Sequence, residues 1–103
     1  MTSAQIDGFK ERVADLCRRF HVTRLDVFGS SITDAYDPVR SDVDVLVEFG
    51  HVREGEYADT WFGLRAALEA LFERPVDLIT DSAVRNPYFR AELERTRRSL
   101  YAA

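Results

Sequence analysis

Apolar residues recur at three- and four-residue spacings in three segments of the chain, and this pattern predicts three helices. The first covers residues 3–20, the second residues 58–72 and the third roughly residues 88–98. Such spacing gathers the apolar side chains on one face of a helix, where they can pack against the rest of the protein. Asn86 and Pro87 are a typical start for the third helix.

Shorter runs of branched and aromatic residues predict three strands between these helices, at residues 23–28, 43–49 and 76–80. Residues 31–40 lack a sustained period and are predicted as a loop. Residues 100–101 are predicted as a short tail after the last helix. The order is helix, strand, strand, helix, strand, helix. It favours a small mixed β-sheet flanked by helices, in the α+β or mixed α/β class.

Composition narrows the class of protein. The 103 residues are 46% hydrophobic and 31% charged, which is typical of a globular protein, so we predict one domain over residues 1–103. Because no apolar stretch is long enough for a membrane span or a signal peptide, we expect no membrane partner and a cytoplasmic location. The net charge of −4 argues against direct nucleic-acid binding through a broad basic surface.

Two aspartates at the start of the second predicted strand carry the clearest chemical signal. Asp42 and Asp44 are two positions apart, so on a strand their carboxylates project from the same face. Carboxylates this close repel each other unless a cation lies between them. Mg²⁺ takes oxygen ligands and is typically held by one or two carboxylates together with substrate phosphates. The pair therefore predicts half of a metal-dependent site for phosphate chemistry.

Two further features extend this predicted site. Gly29 and Ser30 form a turn after the first strand, where glycine lets the backbone approach a phosphate and neighbouring amides and the hydroxyl can donate to it. Asp77 lies between apolar neighbours in the third strand, where a carboxylate is costly unless it is paired or bound to a metal. If that strand lies beside the second, Asp77 joins Asp42 and Asp44 as a third carboxylate of a two-metal site.

Taken in order, these motifs resemble a known family. They are Val27-Phe28-Gly29-Ser30, Ser41-Asp42-Val43-Asp44-Val45-Leu46-Val47 and, after a helix, Pro75-Val76-Asp77-Leu78-Ile79. The set is similar to the minimal nucleotidyltransferases of the DNA polymerase β-like superfamily, and the resemblance covers essentially the whole chain. It implies the fold of that superfamily, a mixed sheet with helices around it.

The resemblance also implies a reaction and a set of residues. The reaction is transfer of a nucleotidyl group from a nucleoside triphosphate, expected to be ATP, to an acceptor hydroxyl with the help of two Mg²⁺ ions. The residues that it implies for nucleotide binding are Gly29, Ser30 and Ser41. The residues that it implies for metal binding and catalysis are Asp42, Asp44 and Asp77.

Minimal proteins of this kind resemble the antitoxin of a bacterial or archaeal pair whose toxin is a HEPN-domain RNase. In that family the antitoxin adds AMP to a tyrosine of its partner. The resemblance therefore implies a protein partner and allows a homo- or hetero-oligomer. The short chain, with no second domain for a small acceptor, agrees with an acceptor that another protein supplies.

Two alternatives stay open. The spacer after Ser30 lacks the Arg-Gly that is usual in the family, with Arg40 as a candidate replacement, and Asp34 and Asp37 add negative charge near a polyanionic ligand. These departures favour a catalytically weak or inactive module that neutralises a partner by direct contact. The second alternative is an enzyme that nucleotidylates a small molecule such as an aminoglycoside, in an acceptor pocket built between two subunits.

Overall fold

The computed structural model describes residues 3–29 and 42–103. Within these ranges the helices are α1 at Ser3–Asp7, α2 at Lys10–Arg19, α3 at Tyr57–Phe72 and α4 at Pro87–Thr96. The strands are β1 at Val22–Val27, β2 at Val43–Phe49, β3 at Val76–Thr80 and β4 at Arg98–Ala102. None of the described helices is long and apolar enough to cross a membrane.

The four strands form one mixed sheet in the order β3-β2-β1-β4. Strand β1 runs antiparallel to both β2 and β4, whereas β2 and β3 are parallel. Parallel neighbours need a crossover connection, and α3 supplies it between β2 and β3. The predicted class, a small mixed sheet flanked by helices, is confirmed.

Different elements pack on the two faces of the sheet. Helices α2 and α3 pack with one face, and the main core includes Val45 and Val47 of β2. Because side chains alternate along a strand, Asp44 and Leu46 project from the opposite face. There Leu46 packs with Leu93 of α4 in a smaller apolar cluster. Helix α4 therefore covers part of the face that carries Asp44.

Two elements differ from the sequence-based prediction. The helix predicted at residues 3–20 is interrupted at Gly8 and Phe9, where the Phe9 N–H donates to the Ile6 carbonyl three residues back, as in a 3₁₀ turn. The tail predicted at residues 100–101 is wrong, because these residues belong to β4, which pairs with the free edge of β1.

Candidate active site

The predicted carboxylates lie at one end of the sheet, where β2 and β3 begin. Asp44 and Asp77 are in-register neighbours on these parallel strands, so both project from the face opposite the main core. Asp42 lies two residues before Asp44 and is exposed. Asp77 is also exposed, because β3 is an edge strand, although its neighbours Val76 and Leu78 are buried. The three aspartates nevertheless come together.

Asp44 has a raised pKa. Its side chain is half-buried, and this burial, followed by the negative charges of Asp77 and Asp42, raises the pKa of Asp44 from 3.8 to about 6. The ionised form of Asp44 is therefore disfavoured in the folded protein. A cation placed among the three carboxylates would offset this penalty.

The donor set fits an Mg²⁺ ion that is shared with a substrate. Across residues 3–29 and 42–103, no group of three or more His, Cys, Asp or Glu side chains is arranged to hold a metal ion by itself. In triphosphate sites, Mg²⁺ commonly takes one or two carboxylates and completes its shell with phosphate oxygens and water. Asp42 and Asp44 fit such a partial ligand set, because burial and the charges of Asp77 and Asp42, which raise the pKa of Asp44, favour a cation beside it.

Gly29 approaches the Asp44 side chain closely. Its φ of 63° lies in the left-handed region, which glycine adopts without strain. A Cβ atom added here would lie 3.0 Å from Oδ2 of Asp44. The preceding Phe28 N–H donates to the Asp44 carbonyl at 3.1 Å, so the end of β1 is fixed beside Asp44. The Gly29 N–H donates to Oγ1 of Thr96 at 3.0 Å, a contact that the sequence did not predict.

Because Gly29 lies so close to Asp44, we expect Gly29→Ala to destabilise the protein more than alanine at another glycine with a positive φ. We expect this change to lower the free energy of unfolding by about 2–4 kcal/mol, because left-handed strain is joined by crowding against the Asp44 carboxylate. Gly55→Ala is the matched control, since Gly55 has a φ of 84° but nothing lies within 4 Å of its added Cβ. Its expected loss is about 1–2 kcal/mol. Equal losses in urea unfolding would contradict the crowding at Asp44.

Some predicted residues fall outside the described ranges. They are Ser30, Ser41 and the spacer at residues 31–40, so their predicted roles stay predictions.

A buried ion pair anchors α4 beside this end of β1. Asp26 is fully buried and accepts a hydrogen bond from Nε of Arg97 at 2.6 Å. Arg24 pairs with the same carboxylate at 3.1 Å, and Arg97 also pairs with Glu94 at 2.6 Å. A buried carboxylate is tolerated when it is paired in this way. The network therefore fixes the last turn of α4 on the sheet.

This network was not predicted from the sequence, although the sequence contains a signal for it. Asp26 lies between Leu25 and Val27, as Asp77 lies between apolar neighbours. A lone carboxylate in an apolar strand needs a partner, and this holds for Asp26 as it does for Asp77. Arg97, one of several C-terminal arginines, is that partner, and only the fold shows which arginine it is.

The fold is that of a nucleotidyltransferase domain. The chain belongs to the nucleotidyltransferase domain family, whose model matches residues 9–100. It is similar to a solved structure described provisionally as a minimal nucleotidyltransferase, with 29% identity and a TM-score of 0.69 over 95% of each chain. No match was found among curated proteins.

Two toxin–antitoxin structures share the fold at lower identity. One is a toxin–antitoxin complex with AMP-PNP, at 16% identity and a TM-score of 0.65, covering 91% of this chain and 73% of the other. The other is the tri-AMPylated HEPN toxin of Shewanella oneidensis in complex with an MNT antitoxin. A chain of that complex has 15% identity and a TM-score of 0.61, covering 96% of this chain and 72% of the other.

Proposed function

We propose that this protein is a Mg²⁺-dependent adenylyltransferase that acts in the cytoplasm as the antitoxin of a HEPN-toxin pair. It moves AMP from ATP to a hydroxyl of its partner, expected to be a tyrosine. The observation that carries the proposal is the in-register placement of Asp44 and Asp77 with Gly29 directly beside Asp44. Family membership supports the general reaction, and the similarity in fold to an MNT–HEPN complex supports the choice of partner.

The proposed reaction is one displacement at phosphorus. The acceptor oxygen forms a bond to the α-phosphorus of ATP, the bond from that phosphorus to the bridging oxygen of the β-phosphate breaks, and pyrophosphate leaves. Asp77 is proposed to accept the proton of the acceptor hydroxyl, because its carboxylate is exposed at the sheet edge and therefore open to a partner protein. AMP then remains attached to the partner through a phosphodiester.

Asp42 and Asp44 are proposed to hold the metal ions, with Asp77 assisting at the second. When bound, Mg²⁺ neutralises part of the charge of the triphosphate and of the leaving pyrophosphate. Gly29 leaves space beside the Asp44 carboxylate, where a larger residue would crowd it. The absence of a side chain at Gly29 thus keeps the Asp44 carboxylate uncrowded.

The position of a radioactive label tests this function. With Mg²⁺, we expect ATP labelled at the α-phosphate to label the proposed HEPN-domain partner, and ATP labelled at the γ-phosphate to leave it unlabelled. Removal of Mg²⁺ with EDTA should stop the transfer. Transfer of the γ-label would indicate a kinase. Neutralisation of the toxin without any label would indicate inhibition by contact, and either result would contradict the proposal.

A further inference from the structure

The hydroxyl of Thr96 joins the last turn of α4 to the turn at Gly29. Oγ1 of Thr96 donates to the Glu92 carbonyl at 3.0 Å and accepts from the Gly29 N–H at 3.0 Å. A hydroxyl has one proton and two lone pairs. Because its proton is given to Glu92, the hydroxyl is set to accept from Gly29. Thr96 is 8% exposed, so this contact is shielded from water.

The bond to Thr96 changes the role that the sequence suggested for Gly29. The sequence predicted that amides of this turn donate to a phosphate, but the N–H of Gly29 itself is used within the protein. Gly29 therefore contributes its backbone conformation rather than a hydrogen bond to the phosphate. Its left-handed φ of 63° turns the chain as it leaves β1, and the hydrogen bond from its amide holds that conformation beside Asp44.

A second contact fixes the end of α4 beside the Gly29 turn. Arg97, the residue after Thr96, pairs with the buried Asp26 at 2.6 Å, and Asp26 is three positions before Gly29 on the same segment. Thr96, the last residue of α4, and Arg97, which follows it, thus contact Gly29 and Asp26 respectively, one through a hydroxyl and one through a charge. A supporting hydrogen bond from a fixed element is what keeps a binding turn in one geometry.

We propose that Thr96 is a positioning residue, whose hydroxyl holds the Gly29 turn in the conformation that receives the triphosphate. It acts through Gly29 and does not touch the substrate. The identity of the bound group rests on the proposed function, whereas the support of the turn by Thr96 does not.

Three variants isolate the hydroxyl. Thr96→Val keeps the branched shape and removes the acceptor, and Thr96→Ser keeps the hydroxyl. Thr60→Val is the matched control, because Oγ1 of Thr60 donates to the Glu56 carbonyl at 2.8 Å, the same four-residue bond within a helix. Thr60 lies in the first turn of α3, the helix that connects β2 to β3. If Thr96→Val does not fold, Thr96→Ala takes its place, since alanine also lacks the hydroxyl and favours helix.

Two quantities are measured for each variant: the rate of hydrogen exchange of the Gly29 amide by NMR, and the affinity for AMP-PNP with Mg²⁺ by calorimetry. In Thr96→Val we expect exchange of the Gly29 amide to accelerate about tenfold or more and affinity for AMP-PNP to weaken by a similar factor. In Thr96→Ser and Thr60→Val both quantities should stay within about threefold of wild type.

The outcomes separate this inference from the proposed function. Unchanged exchange at Gly29 in Thr96→Val overturns the inference, and so does faster exchange with unchanged affinity for AMP-PNP. If the wild-type protein binds no nucleotide, the proposed function fails. In that case faster Gly29 exchange in Thr96→Val alone still supports the positioning role of Thr96, and unchanged exchange overturns it.

Discussion

Asp44→Asn is expected to abolish nucleotidyl transfer and, at neutral pH without Mg²⁺, to make the folded protein more stable. The loss of transfer follows if Asp44 is a metal ligand, because a neutral amide is a much weaker ligand for Mg²⁺ than a carboxylate. The gain in stability follows from burial and from the charges of Asp77 and Asp42, which raise the pKa of Asp44 to about 6. The amide removes a charge that the fold disfavours.

The sign of the pH dependence follows from the same pKa. The folded protein holds the Asp44 proton more tightly than the unfolded chain, whose pKa is near 3.8. The contribution of Asp44 to the free energy of unfolding therefore falls as pH rises from about 4 to about 6. The difference between these two pKa values corresponds nominally to about 3 kcal/mol, which solvent screening of this half-exposed group reduces to on the order of 1 kcal/mol.

Urea unfolding in EDTA at neutral and acidic pH measures this effect. We expect the free energy of unfolding of Asp44→Asn to exceed that of wild type at pH 7.5 and to equal it near pH 3.5. Asp59→Asn is the control, since Asp59 is an exposed residue in the first turn of α3, where its charge is favourable and its loss costs up to about 1 kcal/mol. An Asp44→Asn variant that keeps its transfer activity, or is no more stable at pH 7.5, would contradict the account.

Asp26→Ala is expected to cause the largest loss of stability, about 3–5 kcal/mol. It leaves the Arg97 guanidinium, whose side chain is 12% exposed, without its buried counterion. A cavity also remains where the carboxylate was. For a domain with a typical stability of about 5–15 kcal/mol, this loss is a large fraction of the total. It also frees the end of α4 that carries Thr96.

The control for Asp26→Ala is Asp15→Ala. Asp15 pairs with Arg18, but their side chains are 72% and 61% exposed, and such surface pairs contribute up to about 1 kcal/mol. Urea unfolding compares the two variants. A loss below about 1 kcal/mol for Asp26→Ala would contradict the buried pair. Adding Arg97→Met to Asp26→Ala should recover part of the loss, because the unpaired buried charge is removed.

Local patterns in the sequence predicted much of this fold because the relevant contacts are local. The strand at residues 43–49 was predicted with the bounds of β2, and that at 76–80 with the bounds of β3. The alternation that places Asp44 on the face opposite Val43 and Val45 is a property of any strand. Asn86, as predicted, opens α4, and its side chain accepts from the N–H groups of Tyr88 and Phe89.

The parts that the sequence did not predict depend on contacts between distant residues. Strand β4 forms by pairing with the edge of β1 that β2 leaves open. Its five residues are too few for a hydrophobic period to predict a strand. The adjacency of Asp77 to Asp44 required the order of the strands. The bond from Gly29 to Thr96 joins residues 67 positions apart, and threonine at the end of a helix has no local signature for it.

The central claim is that the carboxylate cluster catalyses transfer of AMP to a protein, and the intact mass of the partner tests it most directly. The proposed HEPN-domain partner is incubated with ATP, Mg²⁺ and either wild type or the double variant Asp42→Asn/Asp44→Asn. The account predicts that both bind the partner and that wild type alone adds one or more AMP units. An unmodified partner that wild type has nevertheless neutralised, or a partner fully modified by the double variant, would contradict it.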